Sequence, residues 1–592
     1  MYSYSPLRES EFRVLTILPA VDIDAEIQCE LCCCELKEGT YNALSYVWGD
    51  PGPQKLIYIG EIPVNVTPNL FAALRRIRDT RREIRLWVDA LCINQNDAQE
   101  KMLQVKRMME IYAKAMEVFM WLGEEEDNSD LAMVLLQRLE DAFRHNFTPK
   151  HRGLERVKHS EHRNKRITGP ILSKPFSRTY AYDTFTNIFR EESLNDHWKA
   201  LQHLFYRPYW RRVWIIQEIV TARNRILCCG TLRVSWNAVM VVVEIFSKTL
   251  HFSMSNEAKD AWYSADAIIK QFVSMLIDVS NKQKPSLLEG LARFSYCTST
   301  DPRDNVYAIL NLVESKGLEP DYTKTRVEVY KDVVRFIVEK DQALDILSAC
   351  KPLTLYLELR YTAYLISLKP DSPGVSMAKE LLDHTLPSWA PDWDAIRADF
   401  CYLTLKNPKN CPYKAGGSVP SFHFPNDHSI MIVDGVSLGT VQEMASSEAS
   451  ISDEWNTCVK ASCVDRVYGD HNCKEEAFIR TLVAGRNGDG SKGNCGWTAL
   501  LLHGGICRDH IDNEPYLSTA SVSMCFKFGI SDQGFMARIP QVTEKGDTIA
   551  IVLGAKAPIV LRRYEEINGY FVIGECCKAM LSQSIFVLNL QS

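Results

Sequence analysis

The chain reads as an α/β protein: a parallel sheet to about residue 240, then a helical region, then a small β-rich domain. Three observations predict this. Short apolar runs alternate with stretches of helical periodicity over the first 240 residues. One of those runs, Leu86–Ile93, is apolar almost throughout, as a strand covered on both faces must be. Beyond residue 400 the apolar runs become short and are punctuated by glycine.

Within the first region, Phe12–Leu18, Ile27–Leu36 and Leu44–Trp48 are strand candidates. Leu44–Trp48 and Leu86–Ile93 are expected as adjacent or near-adjacent inner strands. Asp97, with Glu100 three positions on, predicts a capping box. Met102, Val105, Met108, Met109, Tyr112 and Met116 then repeat at the three-to-four spacing of a helix. Val118–Leu122 ends this unit as another short strand before Gly123. Between Arg144 and Arg166 lie eight Arg or Lys against two acids, few of them accompanied by apolar residues, so a solvated basic loop is expected.

The region 241–400 carries two apolar stripes. Ala258, Ala261, Ala265, Ile269, Phe272 and Met275 mark one helix, and Val327, Tyr330, Val333, Val334 and Ile337 another. Between them, Thr300-Asp-Pro-Arg-Asp-Asn-Val-Tyr307 reads as a turn and helix start. Leu386-Pro-Ser-Trp-Ala-Pro-Asp-Trp393 closes the region because its prolines disfavour helix. In 401–592, β-like runs fall at 430–433, 435–441, 548–553, 558–561 and 570–573.

Composition sets limits on function. At 592 residues two to three domains are expected, and 46% hydrophobic with 24% charged residues is ordinary for a soluble globular protein. A net charge of −6 gives no reason to expect a nucleic-acid partner. No secretory leader or run long enough to span a bilayer is visible, so the cytoplasm is the expected compartment. There, 19 cysteines imply thiols and not a disulfide framework.

Three blocks carry the functional reading. They are Tyr41-Asn-Ala-Leu-Ser-Tyr-Val-Trp-Gly-Asp50, Leu86-Trp-Val-Asp-Ala-Leu-Cys-Ile-Asn-Gln95, and Arg207-Pro-Tyr-Trp-Arg-Arg-Val-Trp-Ile-Ile-Gln-Glu218. In this order and with these tryptophans they resemble the heterokaryon incompatibility (HET) domain of filamentous fungi. That family is tied to self/non-self recognition and programmed cell death. The HET domain is in turn similar to the TIR domain, which has a flavodoxin-like fold, and many TIR domains cleave the N-glycosidic bond of NAD. Leu44-Ser45-Tyr46 looks like the end of the first TIR strand, and Trp214 to Glu218 keeps the spacing of the block that ends in the TIR catalytic glutamate. Ile215 stands where TIR has Cys.

The resemblance places Glu218 as the catalytic carboxylate, with NAD as substrate and no resident cofactor. A carboxylate against the ribose would stabilise the positive charge that builds as nicotinamide leaves. The competing role for Glu218 is an ion pair with Arg211, Arg212 or Arg223. Tyr46, Asp50, Asp89, Asn94 and Gln95 are ligand candidates because they sit at or just past strand ends, where open α/β sheets bind ligands. Turn formation and capping are their alternatives. Trp48, Trp87 and Trp214 are expected in the core. The resemblance also allows a non-enzymatic module that associates with itself or with an incompatibility partner.

Other signals point nowhere. Cys29-Glu-Leu-Cys32 has no second pair for zinc. Gly485–Lys492 has Ser-Lys where a phosphate loop needs Lys-Ser. No metal site is expected.

Overall fold

The computed structural model describes residues 2–49, 52–147, 188–248, 255–350, 386–394, 414–417, 419–425, 430–446, 451–469, 471–482, 526–564 and 569–578. Asp50, the loop at 148–166 and the segment Gly485–Lys492 lie outside these residues. The chain divides into two compact units, 1–285 and 286–592.

The first unit is built on a nine-stranded sheet. Its strands are β1 (Glu11–Ile17), β2 (Gln28–Glu35), β3 (Asn42–Tyr46), β4 (Lys55–Ile59), β5 (Ile62–Val66), β6 (Ile84–Trp87), β7 (Val118–Trp121), β8 (Arg225–Cys229) and β9 (Leu232–Ser235). They lie in the order β5-β4-β2-β1-β6-β3-β7-β8-β9. The four central strands β6, β3, β7 and β8 are parallel, and β3 and β6 are neighbours. Taken in chain order, that core runs second-first-third-fourth, as a flavodoxin-like sheet does.

The sheet as a whole is mixed, where the sequence suggested a parallel one. The central strands are joined by helical crossovers, which force parallel pairing. At the margins, hairpins β4–β5 and β8–β9 turn straight back, and β1 runs antiparallel to both of its neighbours.

Two local expectations are corrected. The apolar run at Leu86–Ile93 is a strand only to Trp87, after which Asp89–Cys92 makes one helical turn. The Val88 carbonyl accepts from both Leu91 and Cys92, so continuity of apolar residues here reflects burial and not strand length. The helix Ala98–Lys114 is capped by Asp97, which accepts from the amides of Gln99 and Glu100. Glu100 does not return the bond. Its carboxylate is drawn instead to buried Arg13, at 2.6 and 2.9 Å, and to the amide of Asn94.

Helix Asn256–Ser280 follows its predicted stripe, with Ala258, Ala261, Ala265, Ile269, Phe272 and Met275 buried. It packs in the first unit on helices Asn195–Tyr206, Ile215–Thr221 and Trp236–Lys248.

The second unit begins helical. The Asp301–Asp304 stretch forms a tight turn in which Asp301 and Arg303 pair, and Arg303 also holds the carbonyls of Tyr322 and Lys324. Helix Arg326–Asp341 buries Tyr330, Val333, Val334 and Ile337. The β-rich part starts with a two-stranded ribbon, β10 (Phe422–His423) and β11 (Ile432–Val433).

Its main sheet contains β12 (Gly435–Met444), β13 (Phe526–Ser531), β14 (Met536–Pro540), β15 (Thr548–Val552), β16 (Ile559–Tyr564), β17 (Gly569–Glu575) and β18 (Cys577–Lys578), in the order β17-β16-β15-β12-β13-β14-β18. The first and last members are halves of one strand, separated only by Cys576. The sheet therefore closes on itself as a six-stranded antiparallel barrel. Leu438, Val441, Ala537, Ile539, Ile549, Ile551, Val560 and Ile573 form its apolar filling. Phe528, Ile530 and Met536 lie on the other face of their strands and pack beneath helices Ile451–Lys460 and His471–Leu482.

Candidate functional site

The site forms where the carboxyl ends of β3 and β6 meet, beside the strand at which the order of the parallel core reverses. Open α/β sheets leave a crevice there because successive crossovers depart to opposite sides. Three stretches of chain converge on it: the end of β3 with Trp48, the turn after β6, and residues 208–218.

Glu218 lies in the short helix Ile215–Thr221, whose residues Ile215 to Val220 are all buried. Its side chain is 0% exposed. One carboxylate oxygen accepts from Arg212 Nη1 at 2.7 Å and the other from Ser45 Oγ at 2.5 Å. Ser45 spends its only proton on Glu218, so the Tyr209 hydroxyl, 2.7 Å away, must donate to Ser45. Burial keeps the Tyr209 phenol protonated, as that donation requires.

Arg212 is the hub. Its second terminal nitrogen reaches Asp89 Oδ2 at 3.0 Å. That oxygen also accepts from the Trp48 indole at 2.9 Å, while Asp89 Oδ1 accepts from the amide of Ala90 at 2.7 Å. A continuous polar chain thus runs Tyr209–Ser45–Glu218–Arg212–Asp89–Trp48. Burial opposes the Arg212 charge, but Glu218 and Asp89 outweigh it and raise the guanidinium above its ordinary value. Burial pushes the Glu218 carboxyl up, against the pull of Arg212 and Ser45.

Of the ligand candidates, Asp89 joins Glu218 directly, and Tyr46 is buried beside Asp89. Asn94 closes its own turn by accepting from the amide of Asn96, and Gln95 donates to the Asp89 carbonyl. Of the three arginines weighed for Glu218, Arg212 makes the pair, whereas Arg223 pairs with Glu38. Trp87 and Trp214 are buried, but Trp48, also expected in the core, is 40% exposed. It lies two residues past the end of β3. Sequence reasoning gave no role to Ser45 or Tyr209. The available signal was a serine inside a wholly buried strand, since such a hydroxyl needs a partner.

Residues 41–218 match the model of the heterokaryon incompatibility protein (HET) family, and all three motif blocks and the whole polar chain fall inside that span. This segment is a HET domain. The chain is 25% identical over 438 residues to heterokaryon incompatibility protein 6, OR allele, of Neurospora crassa. The match covers 67% of this chain and 60% of that relative's length. No solved structure matches the chain.

The HET domain here holds no cluster of three or more metal-ligating side chains among the described residues. No helix among them is long and apolar enough to cross a membrane.

Proposed function

We propose that this heterokaryon incompatibility-type protein acts in fungal self/non-self recognition and programmed cell death, with its HET domain serving as a TIR-like signalling and assembly module. The observation that carries this reading is the state of Glu218. Both of its oxygens are engaged and none of its surface is open, so it cannot meet a ribose in this arrangement. A catalytic carboxylate must reach the charge it stabilises. Here Glu218 instead ties the helix Ile215–Thr221 to β3 and, through Arg212, to the turn after β6.

NAD cleavage is the second reading. In its favour, the carboxylate lies at the ligand-binding end of the sheet, and Asp89, Glu218 and Arg212 together carry a formal charge of −1, suited to an oxocarbenium-like transition state. It requires activation to break the Arg212–Glu218 pair.

Glu218→Gln separates the two. In a fungal host, the variant should still trigger death, and the purified wild-type assembly should leave NAD intact. Release of nicotinamide by the wild type, lost in a Gln variant that melts at the wild-type temperature, would establish cleavage and overturn the module reading.

A further inference from the structure

Trp48 is the one tryptophan of the first unit, among the described side chains, that is not buried. It is nonetheless held firmly. Its indole N–H is fixed to Asp89 at 2.9 Å. The preceding carbonyl, that of Val47, accepts from Asn69 at 2.6 Å, and Asn69 is itself held by the buried Trp121 indole at 2.9 Å. After it the chain turns through Gly49 at φ +73°, a conformation glycine adopts without strain. An aromatic ring pinned at its polar edge, with part of its surface open to water, is a preformed stacking surface that loses little entropy on binding.

Its charge environment selects the ligand. The carboxylate accepting the indole N–H increases electron density over the ring, and the Asp89–Arg212–Glu218 group joined to the ring's N–H edge carries a formal −1. An electron-rich indole face beside net negative charge attracts a cation and disfavours an anion. The position, just beyond the carboxyl end of β3, is where the parallel core directs a ligand.

We propose that the open face of Trp48 is a binding platform for a flat, positively charged aromatic ring. This goes beyond the signalling reading: it gives the HET domain a small-molecule ligand without requiring that any bond be cleaved.

N-methylnicotinamide is a suitable probe, with neutral nicotinamide as its uncharged comparator. Titration of the full chain, followed by calorimetry or ligand-observed NMR, should show the cation binding more tightly than the neutral ring. Trp48→Phe, which keeps a ring but loses the N–H bond to Asp89, should keep part of the affinity, and Trp48→Leu should lose about tenfold or more, with both variants still melting cooperatively. Equal binding to wild type and Trp48→Leu would overturn the proposal. So would equal affinity for the neutral ring, or no binding of the cation by the wild type. Nicotinamide release from NAD is read in a separate assay, so failure of cleavage and failure of the platform are told apart.

Discussion

Arg212 neutralises one of two buried carboxylates and orients both, so the charge balance of the HET site turns on this residue. Arg212→Met would leave Asp89 and Glu218 buried without their cation. The expected loss is about 3–5 kcal/mol in denaturant unfolding, since an uncompensated buried charge costs far more than an ion pair contributes. Glu218→Gln retains a hydrogen-bonding group and one carboxylate for Arg212, so its loss should be clearly smaller. Equal losses in the two variants would show that the network is not organised around the arginine. A second pair gives a pH signature. Burial raises the Glu100 carboxyl, but Arg13 and the Asn94 amide outweigh it and hold the group below its ordinary 4.5. A carboxyl depressed in the folded state contributes stability that is present above the unfolded value and lost as pH falls through the folded one. Stability should therefore decline below about pH 4.5, and Glu100→Gln should flatten that acid limb. An unchanged acid limb would mean the pair contributes nothing. Much of this site was legible in residue identity: Glu218 and Asp89 stood out, and Arg212 was among the partners weighed for Glu218. The hydroxyl relay was not, because which side chains share a face across 164 residues depends on strand order.

At the scale of elements, a capping box forms fully where nothing else competes for its members. Thr325 caps helix Arg326–Asp341 with a complete capping box, its side chain accepting from the Glu328 amide while Glu328 accepts from the Thr325 amide. Thr325→Ala should cost about 1 kcal/mol and Thr325→Ser almost nothing, as read from paired unfolding curves. If the Ser variant loses as much as Ala, the methyl group and not the cap is responsible. Asp97 and Glu100 have the same spacing, yet tertiary competition from Arg13 left only half a box. Strands β3 and β6 were readable as neighbouring inner strands from the buried apolar pairs Ala43–Leu44 and Leu86–Trp87. The hairpin β4–β5 was not, although Leu56–Ile59 is an apolar run; at the sheet margin Lys55, Leu56, Ile62, Pro63 and Asn65 are exposed. The short helix Asp89–Cys92 was hidden for the opposite reason, being as buried as the strand before it.

At the scale of the molecule, the chain divides into two compact units. The barrel of the second unit was foreseen only as β-rich, because closure depends on Cys576 dividing one strand between two partners, which no local pattern records. In the first unit, the HET family span ends at Glu218, but the compact unit continues to residue 285. Beyond β8, β9 and helix Trp236–Lys248, that continuation includes helix Asn256–Ser280. This helix completely buries Ile269, Phe272 and Met275, each contributing about 1.5–3 kcal/mol, together comparable with the 5–15 kcal/mol that keeps a typical domain folded. A fragment of residues 1–285 should unfold in a single cooperative transition. A fragment ending at 240 strips the cover from helices Asn195–Tyr206 and Ile215–Thr221, and the latter carries Glu218. It should melt well below the longer fragment or fail to fold, and bind hydrophobic dye. Equal melting temperatures for the two fragments would show that Asn256–Ser280 is dispensable. The HET site would then be held by residues 1–240 alone.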